Sequence, residues 1–184
     1  PKRHGDDRGW FCETFHEERL RQAGITCRFV QDNRSISKRA GTLRGLHFQR
    51  PPMAQAKLVS VLRGRILDVA VDIRRDSPTY GTCVSAELSA DNGHQLYIPV
   101  GYAHGFCTLE DDVDVMYKVS SHYAPALDAG ICWNDPDIAF PWPVSAADIV
   151  TSPKDALLPP LAELISPFIY DGNPLAPLST LDAG

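Results

Sequence analysis

The sequence lacks any long apolar run. Hydrophobic residues make up 43% of its 184 positions, but no uninterrupted stretch of them reaches the roughly 20 residues that a membrane-spanning helix needs. The sequence also shows no basic and apolar succession typical of a secretory leader. We therefore expect a cytoplasmic protein that has no membrane partner.

Cysteine is scarce and shows no regular spacing. The chain has five cysteines, an odd number, and no two of them form a C-x-x-C pair. Such placement does not predict a disulfide framework or a zinc ribbon. We expect reduced thiols with mainly structural roles at Cys12, Cys27, Cys83, Cys107 and Cys132.

The chain also lacks a net positive charge. The 18 lysines and arginines are outnumbered by 23 aspartates and glutamates, which gives a formal net charge of -5. An acidic chain is not expected to bind nucleic acid along a broad surface, because the phosphate backbone requires basic contacts. If the substrate is anionic, its basic contacts must be concentrated at one site.

Helical signals are few, and short strand patterns separated by turns dominate. Several strands at such spacing predict an all-β sandwich or barrel. The candidate strands cover residues 59–62, 66–73, 83–88, 95–98, 105–109 and 113–119.

The first two of these strands flank Arg63-Gly64-Arg65, and this spacing predicts a hairpin. Apolar residues alternate along the second strand, so they share one face and are expected in the core. These residues are Leu67, Val69, Val71 and Ile73.

Two short helices are predicted. Thr14 and Glu17 match a capping box, so we expect a helix over residues 17–23 that stops before Gly24. A second short helix is expected to begin in the segment 152–155, which reads Ser-Pro-Lys-Asp.

Neither a repeat nor a linker divides the chain, so one domain is expected over residues 1–184. The chain begins at Pro1 without a methionine, and we expect its N-terminal strand to be truncated. Residues 165–184 are rich in proline, glycine and small side chains and are predicted to form an irregular tail.

Residues 41–57 contain several side chains that can transfer a proton or bind an anion. They include Arg44, His47 and Lys57 on what the pattern predicts to be one strand-turn-strand unit. A neutral imidazole can take a proton, while a guanidinium and an ammonium can hold an anion and the charge that proton removal creates. This trio predicts proton abstraction from a phosphorylated or nucleotide-linked substrate.

A second segment matches a motif of the cupin family of small β-barrels. Gly93, Pro99, Gly101 and His104 fit G-x5-P-x-G-x2-H, although Thr108 replaces the final asparagine. From the residues alone, His104 is either a buried, hydrogen-bonded core residue or a substrate contact.

The first cupin motif is largely lost. Lys57 lies seven residues before Gly64, where a metal-binding cupin has its glutamate, and no H-x-H pair precedes it. An ammonium at a ligand position repels a divalent cation. The sequence therefore predicts a barrel that works without a metal.

Seven segments together resemble the dTDP-4-dehydrorhamnose 3,5-epimerase family, and the resemblance runs from about Asp6 to Leu164. It implies a cupin-type jelly-roll β-barrel with a few short peripheral helices. It also implies a homodimer without a cofactor, acting on a dTDP-linked 4-keto-6-deoxyhexose. The segments are DDRGWFCETF (6–15), QDN (31–33), GTLRGLHFQ (41–49), AQAKLV (54–59), IPVGYAHGF (98–106), YKVSSHYAP (117–125) and WNDPD (133–137).

The same resemblance implies four catalytic residues. His47 corresponds to the base, since histidine titrates near neutral pH, and Asp155 to the carboxylate that orients it. Tyr117 corresponds to the acid on the opposite face of the sugar, and Lys57 to the group that stabilises the C4 oxyanion. Without the resemblance, Asp155 would be a helix-terminal carboxylate, Tyr117 a half-buried strand residue and Lys57 a solvated lysine.

The implied substrate-binding residues supply charge, amides and flat surfaces. Cations for the phosphates come from Arg8, Arg44 and Lys154, while packing on deoxyribose or thymine falls to Phe11 and Tyr123. The remaining contacts to sugar or base are Glu13, Gln31, Asn33, Lys57, His104 and Asp128, the last of which stands where the family commonly has glutamate.

Three other functions remain open at this point. An epimerase acting at only one carbon would share His47 and Tyr117, so the motifs do not exclude it. A metal-dependent cupin would need a ligand set that the sequence does not supply. A silent sugar-nucleotide binding module would keep the binding residues and need no base.

Overall fold

Two antiparallel sheets face each other and enclose the core in a computed structural model that describes residues 1–180. The structure confirms the prediction of an all-β protein with few short helices. In chain order, its strands are β1 (Arg3–Asp6), β2 (Gly9–Cys12), β3 (Gln31–Ser37), β4 (Leu43–Gln49), β5 (Lys57–Arg63), β6 (Arg65–Asp72), β7 (Cys83–Ser89), β8 (Gln95–Ile98), β9 (Tyr102–Thr108), β10 (Val113–Val119) and β11 (Asp128–Gly130).

The strands divide between the two sheets in an order far from their order in the chain. The four-stranded sheet runs β3-β10-β5-β8, and the five-stranded sheet runs β11-β4-β9-β6-β7. The first two strands form a separate hairpin. Neighbouring segments of the chain therefore often lie on opposite walls of the barrel.

Hydrophobic side chains cover both faces of the five-stranded sheet. The inner cluster joins Ile66 and Phe106 of this sheet to Val59 and Val115 of the opposite sheet. An outer cluster includes Phe168 from the C-terminal segment. Because side chains alternate along a strand, β6 supplies both clusters.

The four alternating residues of β6 and the position after it are in the core, as predicted, and they belong to the outer cluster. Val69, Val71 and Ile73 are fully buried, and Leu67 is partly buried against them. Their neighbours Ile66 and Ala70 fill the barrel interior.

The predicted hairpin around Gly64 is wrong. β5 pairs with β10 and β8, whereas β6 pairs with β9 and β7, so the chain passes from one sheet to the other at this residue. Gly64 has a φ of 79°, and a Cβ there would lie 2.8 Å from Val113 Cγ2. Apolar residues alternate along a strand in either case. Their pattern therefore cannot show whether two consecutive strands pair in a hairpin or lie in opposite sheets.

The helix α1 (Glu17–Gln22) matches the predicted one, but its cap differs. His16, rather than Thr14, caps the helix, and its Nδ1 accepts a hydrogen bond of 3.4 Å from the Arg19 backbone N–H. The second predicted helix is only one 3₁₀ turn, Asp155–Leu157. Within residues 1–180, no helix is long and apolar enough to cross a membrane.

The C-terminal segment is irregular but well packed. Residues 165–180 contain neither helix nor strand, yet Phe168 is 7% exposed and Asp171 forms a 2.8 Å ion pair with Arg74. The last four residues of the predicted tail, 181–184, lie outside the described part of the chain.

Candidate active site

A cavity of about 410 Å³ lies between the two sheets, with lining residues from both. Seven of the side chains that line it carry acid, base or charge. They are Arg44, His47, Lys57, His104, Tyr117, Lys154 and Asp155. Arg44 and His47 on β4 and Lys57 on β5 belong to different sheets, so the predicted trio meets across the barrel and not on one strand-turn-strand unit.

His47 and Asp155 form a hydrogen-bonded pair in this cavity. His47 Nε2 lies 2.8 Å from Asp155 Oδ1, and the carboxylate is almost fully buried. Burial acts to raise the pKa of Asp155, but the hydrogen bonds to His47, Gly45 and Ser152 and the charge of His47 together lower the pKa below its ordinary value. An anionic Asp155 favours the imidazole tautomer with its hydrogen on Nε2, which leaves the Nδ1 lone pair free to accept a proton.

The position of Asp155 depends on a close approach of two strands. The backbone N–H of Gly45 donates to Asp155 Oδ2 at 3.2 Å. A Cβ at Gly45 would lie 2.5 Å from Gly105 Cα on β9, and its φ is 136°. Only glycine allows β4 to run this near β9 while it holds the carboxylate.

Lys57 belongs to a second hydrogen-bonded group. Its Nζ lies 3.4 Å from His104 Nδ1, and His104 Nε2 lies 2.6 Å from Asp68 Oδ1. His104 is both buried and part of the cavity wall. The structure therefore shows the buried, hydrogen-bonded histidine of the first alternative, and a contact of His104 with substrate stays a prediction.

Burial sets the charges in this group. It lowers the pKa of Lys57 to about 8, against the attraction of Asp68 and Asp128. Burial also lowers the pKa of His104. At neutral pH, a neutral His104 can donate from Nε2 to Asp68 and accept from the charged ammonium at Nδ1.

Tyr117 lines the cavity from the wall opposite His47. It lies on β10 of the four-stranded sheet, whereas His47 lies on β4 of the five-stranded sheet. Burial raises the pKa of Tyr117, and the positive charge of Arg44 opposes this effect. The phenol is therefore protonated at neutral pH and can donate a proton.

Lys154 lines the rim of the cavity, and Asp128 and Tyr123 lie outside the lining but are joined to Lys154. Asp128 Oδ2 accepts a 2.9 Å hydrogen bond from the Tyr123 hydroxyl and also forms an ion pair with Lys154. Arg44 donates from Nε to Ser37 Oγ at 3.2 Å. The rim thus presents two cations, one of them joined to an exposed ring, beside the buried acid and base groups.

Comparison with known proteins identifies the relatives of this chain. The family model described as dTDP-4-dehydrorhamnose 3,5-epimerase matches residues 1–163. The chain belongs to this epimerase family. The protein of that name from Sinorhizobium fredii (strain NBRC 101917 / NGR234) is 49% identical over 170 residues, which cover 92% of this chain and 87% of the relative.

Solved structures of the epimerase family share the fold. The dTDP-4-dehydrorhamnose 3,5-epimerase from Bacillus anthracis str. Ames, solved with TDP and PPi, has a TM-score of 0.84 and 51% identity, over 87% of this chain and 90% of its own. A relative from Legionella pneumophila Philadelphia 1, in complex with dTDP-4-keto-L-rhamnose, has a TM-score of 0.86 and 46% identity, over 92% and 90%. The family resemblance and the cupin-type jelly roll are confirmed.

Three further residues that the epimerase resemblance implied as ligands lie, like Tyr123 and Asp128, outside the lining of this cavity. Arg8 is paired with Asp6, Phe11 is 67% exposed, and Glu13 is paired with Arg19 at 2.9 Å. All three belong to the N-terminal hairpin and the residue that follows it. Their role in binding stays a prediction.

Gln31 and Asn33 also lie outside the cavity lining, on the neighbouring strand β3, where Asn33 is the register partner of Tyr117 and Gln31 that of Val119. Gln31 Nε2 donates to Asn33 Oδ1 at 2.7 Å. Both amides thus contact protein groups, and a direct contact with sugar or base stays a prediction.

The sequence reading missed Asp68. This aspartate is fully buried and its Oδ2 accepts no hydrogen bond from the described residues. A charged residue within the apolar run 66–73 was the available signal. It belongs to no motif, so its link to Lys57 through His104 becomes visible only in the folded chain.

Among residues 1–180, no three histidine, cysteine, aspartate or glutamate side chains are grouped as metal ligands. At the site of the cupin glutamate, Lys57 instead forms its bond with His104. That the site works without a metal stays a prediction.

Proposed function

We propose that this protein inverts both C3 and C5 of dTDP-4-dehydro-6-deoxy-D-glucose to give dTDP-4-dehydro-L-rhamnose. One observation carries the proposal: a carboxylate-supported imidazole and a protonated phenol line one cavity from facing sheets. Membership of the epimerase family supports the same chemistry.

In this proposal, His47 is the base. The hydrogens on C3 and C5 are both adjacent to the C4 ketone, so removal of either gives an enolate. His47 takes the proton while the C–H electrons pass into the enolate, and the anionic Asp155 stabilises the imidazolium that forms. The ketone makes both hydrogens acidic, so the reaction needs no redox cofactor.

Lys57 stabilises the charge that moves to the C4 oxygen. A charged ammonium fixed in a buried site needs little reorganisation when the enolate forms, which is the basis of electrostatic catalysis. His104 and Asp68 hold Lys57 in place by the contacts described above.

Tyr117 completes the inversion as the acid. Its hydroxyl donates a proton to the face of the enolate opposite His47, and a new C–H bond forms with inverted configuration. The resulting phenolate regains a proton from solvent, and His47 releases the proton that it took. The same two groups act at each carbon in turn.

The nucleotide binds at the rim in this proposal. Arg44 and Lys154 offer positive charge to the diphosphate, and the exposed ring of Tyr123 offers a surface for the base or sugar. Asp128 holds Lys154 and Tyr123 together.

A homodimer supplies the remaining ligands. Arg8, Phe11 and Glu13 project from the barrel, with the Arg8 side chain 90% exposed, so they are available to the cavity of a second copy. The free cysteines and acidic net charge support a cytoplasmic enzyme that acts on a sugar nucleotide and has no nucleic-acid or membrane partner.

Proton NMR of the reaction in deuterium oxide tests the proposed function. Two solvent deuterons in the product, one at C3 and one at C5, are expected. A single deuteron would instead support an epimerase that acts at one carbon. One stoichiometric metal in the purified protein, with activity that a chelator abolishes, would contradict the metal-free mechanism.

Replacement of the base tests the same proposal against a silent binding module. His47→Asn should abolish turnover while the protein still binds dTDP. Unchanged turnover would refute His47 as the base.

A further inference from the structure

Gln49 is a buried polar residue at the end of β4 that the proposed mechanism does not use. It lies two positions after His47 on the same strand, so the two side chains share a face. Gln49 is only 3% exposed, however, and it does not line the cavity. Burial of an amide is unfavourable unless its polar atoms are hydrogen-bonded. The partners of Gln49 therefore indicate what its amide does.

These partners are backbone groups of two loops. Gln49 Oε1 accepts a 2.8 Å hydrogen bond from the Ala124 N–H, and Gln49 Nε2 donates at 3.1 Å to the His122 carbonyl. Nε2 also donates to the Met53 carbonyl. A flip of the amide would place donor against donor and acceptor against acceptor. The three bonds thus fix the orientation of the side chain.

Tyr123 lies between the two residues that Gln49 holds in one of these loops. The His122 carbonyl and the Ala124 N–H belong to the two peptide groups that flank Tyr123, so one side chain fixes the backbone on both sides of it. The Tyr123 hydroxyl donates to Asp128 at 2.9 Å, and Asp128 is the register partner of Gln49 on β11. Both the backbone and the hydroxyl of Tyr123 are therefore fixed to the neighbouring strands β4 and β11.

The Tyr123 side chain nevertheless remains 53% exposed. A tyrosine on an unrestrained loop loses backbone and side-chain freedom when a ligand packs against it, and this loss weakens binding. A ring that is fixed before the ligand arrives avoids most of that cost. The exposed ring of Tyr123 thus has the properties of a preformed surface for a flat ligand.

We propose that Gln49 is a positioning residue for nucleotide binding: its amide fixes the backbone on both sides of Tyr123 and so holds the exposed ring ready for the base or sugar. This inference rests on the proposed function, in which Tyr123 packs against the nucleotide.

Two variants of Gln49 and one matched control test the role. Gln49→Met removes all three hydrogen bonds and keeps an unbranched side chain of similar length. Gln49→Glu keeps an acceptor for the Ala124 N–H but loses both donors. Gln55→Met is the control, because Gln55 Nε2 donates at 2.8 Å to the Ser121 carbonyl of the same loop and holds neither peptide group next to Tyr123.

Calorimetric titration with dTDP measures the effect, and a double-mutant cycle with Tyr123→Ala separates positioning from a general loss of structure. We expect both Gln49 variants and Tyr123→Ala each to raise the Kd for dTDP about 10-fold. Gln55→Met should leave it within about twofold of wild type. In the Tyr123→Ala background, Gln49→Met should have almost no further effect, because the ring that Gln49 positions is gone.

Inorganic diphosphate is a probe that lacks the base and the sugar. Its Kd should be the same for wild type and Gln49→Met, since Arg44 and Lys154 are unchanged. With substrate, Gln49→Met should raise KM about 10-fold and leave kcat within about threefold of wild type.

Hydrogen exchange of the free wild-type protein tests the preformed loop without a substitution. The Ala124 amide should be protected before dTDP is added, because its hydrogen bond to Gln49 is already formed. Exchange at the rate of an unfolded peptide until dTDP binds would overturn the proposal.

Three results of the titrations would also overturn it: an unchanged Kd for dTDP in both Gln49 variants, a full further loss in the Tyr123→Ala background, or an equal loss of affinity for diphosphate. Thermal unfolding shows whether each variant is folded, and Gln49→Glu still tests the role if Gln49→Met does not fold. A wild-type protein that binds no dTDP would instead refute the proposed function, which is a distinct result.

Discussion

The hydrogen bond between His47 and Asp155 decides which nitrogen of the imidazole can take a proton. The bond is 2.8 Å long, and Asp155 is 4% exposed. The sequence revealed both residues through the family motifs, but it did not show that one carboxylate oxygen also binds the Gly45 N–H.

Asp155→Asn should reduce kcat by about 10³-fold, because an amide no longer stabilises the imidazolium and can favour the wrong tautomer. Steady-state kinetics measure the loss of kcat, and dTDP binding shows whether nucleotide affinity is kept. Binding should change little, and Asp148→Asn, at an exposed aspartate outside the cavity lining, provides the control. A kcat within a few-fold of wild type would argue against support of the base by Asp155.

Lys57 should give the enzyme an alkaline limit near its pKa of about 8. The charged form is needed at the oxyanion, so kcat should fall as pH rises through this value. The negative charge of Asp68 raises the pKa of Lys57, so Asp68→Asn should move the limit to lower pH. A pH–kcat profile of the wild type and of Asp68→Asn measures the shift. An unchanged limit would show that Asp68 does not set the pKa of Lys57.

Stability should change with pH in the opposite direction to activity. The unfolded chain, with an ordinary lysine pKa of 10.5, binds more protons than the folded chain between about pH 8 and pH 10.5, so Lys57 makes the free energy of unfolding rise with pH there. Urea unfolding across this interval measures the rise. Lys57→Met should remove that contribution.

At the scale of elements, the strand pattern was predicted better than the pairing of the strands. Six strand segments were placed nearly correctly, since alternation and turns are local properties of the chain. The hairpin at Gly64 was wrong because partner choice depends on contacts between distant segments. The predicted capping residue of α1 was also wrong, because His16 and not Thr14 accepts the hydrogen bond at the start of the helix.

Gly45→Ala tests the close contact between β4 and β9. The new Cβ would lie 2.5 Å from Gly105 Cα and 2.9 Å from the His104 carbonyl oxygen, at a φ of 136°. We expect the free energy of unfolding to fall by on the order of 3 kcal/mol, with loss of activity as Asp155 shifts. Urea denaturation measures the change.

Gly172→Ala is the matched control for this glycine. It has a φ of 90°, but nothing lies within 4 Å of its Cβ position, so the substitution adds backbone strain of only about 1 kcal/mol. Equal destabilisation by both substitutions would show that backbone conformation, rather than the strand contact, is what Gly45 provides.

At the scale of the whole molecule, the N-terminal hairpin raises the question of a shared site. Arg8 and His47 lie in one chain, but Arg8 does not line the cavity that contains His47. The sequence predicted a homodimer only through the family resemblance. The residue types at Arg8 and Phe11 do not by themselves show what these side chains contact.

Mixing two inactive variants tests the shared site. Arg8→Ala and His47→Asn homodimers should each have low activity, since every site carries one defect. After unfolding and refolding together, random mixed dimers should recover about a quarter of wild-type activity, because half of the dimers contain one intact site. No recovery, despite mixed dimers on native mass spectrometry, would place both residues in the site of one chain.

The base and its supporting carboxylate come from distant parts of the chain, since 108 positions separate His47 from Asp155. Residues so far apart in the chain meet only when a long loop closes, and such contacts slow folding. A chain in which this contact has not yet formed has an imidazole without its carboxylate. We therefore expect activity to return during refolding no earlier than the contact between these two segments.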